Sequence, residues 1–318
     1  MFPSLPHLHL PPRKHAPLPP PTPAIQALAD ELRRDITILA TDIGERHTRA
    51  PKPYRLAEDF CASALRRAGY EVARYPFQAD GMECRNLEAT LFGTKHPEQI
   101  ILLGAHYDSV WNCPAANDNA SGIAGTLAIA RRLAGRPLPR TVRFVCFANE
   151  EPPHFHSETM GSWVYAKLCR QRGDDIRAMF TLETIGCFLH EPGSQRWPHT
   201  PFAALLPKVA DFILNVGNTR SAEIVKLAAD AFRARTPLPM LSVAIPNSLG
   251  DMGWSDHWGF QQEGFPAFII TDTALFRYNH YHRPSDTPDK LDYLSMAHVV
   301  DGMLAATIAL AGGDAGTA

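Results

Sequence analysis

Apolar residues first recur at helical spacing over residues 24–40, where Leu28, Leu32, Ile36 and Leu39 fall four, four and three apart. That spacing predicts an amphipathic helix. A second helix is predicted over 54–69, closed by Gly69. The pattern then shortens to β-like runs at 70–75 and 86–92. Residues 100–106 form a continuous apolar run, typical of a strand buried on both faces, and 141–148 reads as a second one. Helices are expected at 121–133 and 161–170, strands at 178–185 and 265–271, and an Ala-rich closing helix at 295–310. Strands alternating with helices predict an α/β fold with a mixed, mostly parallel central sheet flanked by helices. Residues 190–201 are rich in Gly, Pro and polar side chains. They open an excursion, about 190–250, expected to lie over the sheet's carboxyl edge, where open α/β sheets build their sites.

Composition adjusts this picture at the ends and excludes some partners. Nine of the 28 prolines lie in the first 24 residues. Such a stretch favours polyproline II and cannot pack a core. Residues 1–24 are therefore expected to be a disordered or surface-wrapping arm, and 25–318 a single domain. With 31 basic and 33 acidic side chains the net charge is -2, so no broad electrostatic footprint for nucleic acid or anionic membrane is expected. The longest apolar stretches, 100–105 and 303–312, are far short of a bilayer span, so no membrane insertion is expected. The proline-broken N-terminus does not read as a signal peptide. The six cysteines make no CxxC pair. Reduced thiols and a cytoplasmic location follow as expectations.

Fourteen histidines raise the question of metal binding. His106 ends the apolar run 100–106, with Asp108 two residues on and on the same side of an extended chain. Asp108 can then hold one imidazole nitrogen while the other binds metal. The same two residues could also be solvated loop polars. The segment Asn117-Asp118-Asn119-Ala-Ser121-Gly122 precedes a helix and reads equally as a helix cap or as a loop offering a bridging carboxylate. Glu150 and Glu151 follow the strand 141–148 and point to opposite sides. One can ligate metal while the other faces the attacking water as general base. Glu183 sits inside an apolar strand, a costly place for an unpaired carboxylate. His282 lies in a polar loop after the strand 265–271. Together His106, Asp118, Glu151, Glu183 and His282 offer nitrogen and oxygen ligands at strand ends, a set suited to two Zn²⁺ ions.

The ordered set AHYDS (105–109), NDNASG (117–122), NEE (149–151), LETIG (182–186), SDHWGF (255–260) and YHRPSDTPDKLDY (281–293) resembles the M28 family of zinc peptidases, over roughly residues 30–312. The resemblance implies a phosphorylase/hydrolase-like α/β fold and a co-catalytic pair of zinc ions. It implies Asp118 as the bridge, His106 and Glu183 on one zinc, and Glu151 and His282 on the other. Glu150 resembles the general base, and Asp108 the group that holds His106. Asp256 and His257 match a segment near the cleft that orients substrate or supports the site. A metal-dependent aminopeptidase acting on peptides is the expected function. Its alternatives are a glutaminyl cyclase-like transferase with one zinc, a carboxypeptidase drawing on Arg277 or Arg283, and an inactive binding module. His154 and His156 form an HxH pair read as loop histidines at the cleft mouth, with extra metal binding as the lesser alternative. His280 is a lesser alternative to His282. His7, His9, His15, His47, His96, His190, His199 and His298 are read as surface or arm residues. Trp111, Trp254 and Trp258 are placed in either a substrate pocket or the core.

Overall fold

Thr22 opens the first helix: its hydroxyl accepts the Ile25 N–H, and Pro23 occupies the first turn. The computed structural model describes residues 5–12, 17–198, 205–246 and 253–314. In it α1 spans Pro23–Thr37 and widens into a final turn over Ile38–Ile43. Leu28, Leu32 and Ile36, the stripe seen in the sequence, are buried. The other helices are α2 (Pro51–Arg67), α3 (Gly122–Leu133), α4 (Gly161–Arg172), α5 (Ala222–Arg235), α6 (His257–Gln262), α7 (Ala274–Arg277) and α8 (Tyr293–Leu310).

The strands are β1 (His7–His9), β2 (Val72–Ala79), β3 (Met82–Leu91), β4 (His96–His106), β5 (Arg140–Phe147), β6 (Asp175–Glu183), β7 (Ile213–Asn218), β8 (Met240–Ile245) and β9 (Ala267–Thr271). They form one mixed sheet in the order β1-β8-β7-β9-β6-β4-β5-β3-β2. The central block β9-β6-β4-β5 is parallel throughout, so its four carboxyl ends emerge along one edge. Antiparallel pairings flank it, β3 on β5 and β7 on β9. In β4 alternate residues face opposite layers. Ile101, Leu103 and Ala105 join the core under α1, α2, α3, α5 and α8, while Ile100 and Leu102 join the core under α4 and α6. Burial on both faces is why this strand reads as an unbroken apolar run.

Two parts of the chain differ from the sequence expectation. The stretch about 190–250 is not simply an excursion, because it supplies β7, α5 and β8 to the sheet and its helical cover. Its strands are six residues long and almost wholly buried, too short to show alternation. Within the proline-rich arm, His7–His9 pairs antiparallel with β8, and His7 Nε2 meets Ser242 Oγ at 2.9 Å. An edge strand tolerates prolines on either side. The expectations for His15 and His199 lie outside the described residues.

Helix α8 is long and apolar enough to cross a membrane by length and composition, yet 83% of that span is buried inside the protein. It packs against α5, α1 and α3. Asp292 caps it by accepting the N–H groups of Leu294 and Ser295. All six cysteines are buried as free thiols.

Candidate metal centre

The last residue of β4 is His106, fully buried. Its Nδ1 lies 3.3 Å from Asp108 Oδ1. Its Nε2 faces three carboxylates: Glu183 Oε2 at 3.2 Å, Asp118 Oδ1 at 3.4 Å and Glu150 Oε2 at 3.8 Å. The register of β4 on β6 explains the first of these. Gly104 is opposite Thr181, so His106 and Glu183 both lie at the ends of neighbouring parallel strands.

The backbone at Asp118 is held by a carboxylate from a distant loop. Asp286 accepts the N–H of Asn117 at 2.9 Å and of Asp118 at 3.2 Å. The Asn117 amide bridges Asp272 Oδ2 and the Gly186 N–H, both at 2.9 Å. The neighbouring Asn119 accepts the Gly122 N–H at the head of α3 and the Thr184 N–H beyond β6. The segment is thus a cap and an acid-presenting loop at once. Gly122 is required here, since a Cβ would come within 2.1 Å of the Leu182 carbonyl. Asp118 is left pointing between two imidazoles: its Oδ1 toward His106 and its Oδ2 toward His282 Nε2, 3.0 Å away. His282 also faces Glu151 Oε2 at 3.3 Å.

Asp108 places the two glutamates. Its Oδ1 accepts the Glu150 N–H at 3.0 Å and its Oδ2 the Glu151 N–H at 3.1 Å. Glu151 Oε1 accepts the Val110 N–H, leaving Oε2 for His282. Glu183 Oε2 accepts Ser255 Oγ at 2.6 Å and Asn119 Nδ2 at 3.2 Å. Two donor groups result, His106–Glu150–Glu183 and Asp118–Glu151–His282, each with its ligand atoms within 4.8 Å of one another.

Crowding shifts the protonation of these groups. Burial pushes Glu150 well above the usual carboxylate range, opposed by His106 and reinforced by Glu151 and Glu183. Burial and Asp118 lift Glu151 to about 7, and burial raises Glu183 as well. For the histidines burial pulls the other way and is overcome. His106 rises well above its ordinary value through Glu183 and Glu150, and His282 reaches about 10 through Asp118 and Glu151. Asp118 is depressed, because its two histidine partners outweigh burial. Acids forced toward neutrality beside imidazoles forced toward charge make a donor set short of cations.

Zinc fits this set. His106 Nε2 and His282 Nε2 are buried and make no hydrogen bond, despite carboxylate oxygens on several sides. Nitrogen and carboxylate oxygen are zinc's ordinary ligands.

Other sequence candidates do not join the two groups. Asp256 is fully buried on the Glu183 side, and burial, Glu183 and Asp108 lift it to about 7 against the charge of His106. His257 is buried at the start of α6. His154 is buried, with Nδ1 on Thr159 Oγ1 and Nε2 3.3 Å from Asp80. His156 is stacked between Phe155 and Trp258, its Nε2 on the Gly253 carbonyl. His280 binds Ser285. Arg277 is buried, with donors on Gln195 and on the carbonyls of Cys187, Ala210 and Phe212, so it does not serve a substrate carboxylate. Trp258 is core, while Trp111 and Trp254 are exposed.

The sequence reading missed supports that act from far along the chain. Asp286 stood in a quoted segment without a role, and Ser255 stood beside the acid that drew attention. Arg46 had no local signature. It is fully buried and donates to the carbonyls of Tyr107, Pro114 and Ala115, fixing the loop that follows His106.

Residues 86–307 match the sequence model of peptidase family M28. The uncharacterized protein YfbL of Escherichia coli is 33% identical over 294 residues, covering 90% of this chain and 89% of its own. A probable zinc metalloprotease of Leptosphaeria maculans is 26% identical over 327 residues, covering 89% of this chain and 73% of its own. A zinc aminopeptidase from Bacillus subtilis shares the fold with a TM-score of 0.67 at 16% identity, over 87% of this chain and 94% of that one. A glutaminyl cyclase from Fimbriiglobus ruber does so with a TM-score of 0.64 at 19% identity, over 94% and 98%.

Proposed function

The chain belongs to peptidase family M28, and from that premise we propose that it is a zinc-dependent aminopeptidase with Glu150 as general base. The observation that carries the reading is Asp118, whose Oδ1 faces His106 of one donor group while its Oδ2 faces His282 of its own. On this reading Asp118 would be a ligand common to two zinc sites. His106 and Glu183 complete one site, and Glu151 and His282 the other. Bound there, zinc supplies Lewis acidity to the scissile carbonyl and makes water acidic enough to yield hydroxide near neutral pH.

The chain's own residues supply the rest. Glu150 stands farthest from His106 of the three acids around it, 3.8 Å against 3.2 and 3.4 Å. On this reading its carboxylate takes the attacking water's proton and returns it to the leaving amine. Asp108 fixes the base and its neighbour together, because one carboxylate holds both backbone N–H groups. Asp256 and His257 are assigned to support of the Glu183 side rather than to metal.

Glutaminyl cyclisation is the second reading, favoured by the likeness to the Fimbriiglobus ruber enzyme. Two donor groups support peptide hydrolysis over one-zinc cyclisation. The carboxypeptidase reading loses Arg277 to the core. The test is to incubate zinc-loaded protein with aminoacyl-nitroanilides and with a peptide bearing N-terminal Gln. Hydrolysis abolished by chelator and restored by zinc is expected. Glu150→Gln is expected to keep its zinc and lose about 10²–10⁴-fold in kcat. Cyclisation without hydrolysis, or a fully active Glu150→Gln, would overturn the proposal.

A further inference from the structure

Beyond the two donor groups a cleft of about 270 Å³ runs along Glu151. Its other walls include His47, Arg49, Trp111, Pro152 and His154. The cleft lies below the ~300–1,000 Å³ of drug-sized sites. That volume suits a short ligand. Glu151, an acid of the donor groups, and the Arg49–Trp111 pair thus line one cleft.

That pair sits on a built support. Arg46 is the rivet: besides its three carbonyl contacts to residues 107–115, its backbone N–H donates to Ser109 Oγ at 2.9 Å. The Ser109 N–H donates back to the Arg46 carbonyl at 2.9 Å, and the Asn112 N–H to Glu45 Oε2 at 2.7 Å. Glu45 and Arg46 are thus tied to the loop carrying Trp111 by contacts in both directions. On this support the Arg49 guanidinium carbon lies 4.8 Å from the Trp111 ring centroid. The indole is 64% exposed, which is unusual for so large an apolar ring beside a site.

Charge singles out Arg49. The other basic groups of the cleft already face acids, His154 toward Asp80 at 3.3 Å and His47 toward Glu45 at 3.5 Å. Among the described residues no carboxylate lies within ion-pair distance of Arg49. An arginine held over an indole can still donate, and a guanidinium matches a carboxylate in two parallel hydrogen bonds.

We propose that Arg49 and Trp111 form a carboxylate-reading lip that selects short substrates bearing a carboxylate close to the scissile bond. That carboxylate is either the free C-terminus of a dipeptide or an acidic side chain. The inference rests on the peptidase reading for what is cleaved, though binding at the lip does not need turnover.

The experiment measures both. Zinc-loaded wild type, Arg49→Ala and Arg49→Lys are titrated calorimetrically with a neutral dipeptide whose peptide bond is reduced to a methylene-amine, with the same compound amidated, and with an amidated analogue carrying an acidic side chain. Hydrolysis of the corresponding normal peptides is followed in parallel. Wild type is expected to bind at least one carboxylate-bearing probe about tenfold or more tighter than the neutral amide. The same preference is expected in kcat/KM, entering through KM. Arg49→Ala is expected to erase the preference and Arg49→Lys to restore part of it. Preference for the free acid assigns the C-terminus, and preference for the acidic amide assigns the side chain. Equal binding of all three probes to wild type, or a preference that survives Arg49→Ala, overturns the lip. Hydrolysis without preference sinks the lip alone. Preference in binding with no hydrolysis of any substrate supports the lip and sinks the peptidase reading.

Discussion

Among the described residues, the buried carboxylate of Glu58 and the buried acids around His106 and His282 are neutralised in opposite ways. Glu58 on α2 is 1% exposed and is met by Arg55 at 2.7 Å, Arg74 at 3.1 Å and Arg85 at 3.2 Å. Asp118, Glu150, Glu151 and Glu183 are also buried, yet among the described residues no arginine or lysine pairs with any of them. Only His106 and His282 stand among them. Burying a charge is expensive unless it is paired. The first group brings its countercharge in its own sequence, so its work is structural. The second is answered by imidazoles alone among the described residues, which fits the proposed metal centre. The useful signal is a buried acid that the chain has not answered, more than the buried acid itself.

The comparison can be broken by removing one acid from each group. Asp118→Asn should have the largest effect. With the bridge reduced to a weak amide ligand, zinc content should fall, and kcat/KM should drop by about 10³-fold or more. A variant that kept its zinc and its activity would remove Asp118 from the account. Asp108→Asn should act less strongly, because it touches the site only through His106 and the Glu150 and Glu151 backbone. A loss of about 10–100-fold in zinc affinity is expected in a competition titration. Glu58→Gln should leave zinc content and turnover unchanged and lower stability by about 1–3 kcal/mol in urea. The three arginines are only part-buried and regain water, which keeps that cost moderate. Loss of zinc from Glu58→Gln would erase the distinction between the two groups.

The parallel block of the sheet was legible because burial on both faces writes itself as continuous apolar runs. The runs ending at His106 and near Glu150 and Glu183 fell where the strands and the donor groups lie. The strands β7 and β8 were not legible. Each is six residues long, and Pro239 and Pro246 bound the second, so their composition reads as loop. The supports of the centre were hidden for a different reason. Asp286 reaches Asn117 across 169 residues, and Arg46 reaches Ala115 across 69. Such contacts leave no local periodicity. In the segment 117–122 the two sequence readings were both physical: Asn119 heads α3 while Asp118 faces the histidines. Helix α8 shows the converse case, an apolar helix whose composition alone resembles a membrane span and whose place is the core.

The most direct test of the central claim is the zinc-to-chain ratio of protein purified without chelator and dialysed exhaustively, measured by elemental analysis. The account predicts about two zinc ions per chain. Protein that folds, carries no zinc and takes up none when it is supplied would contradict it.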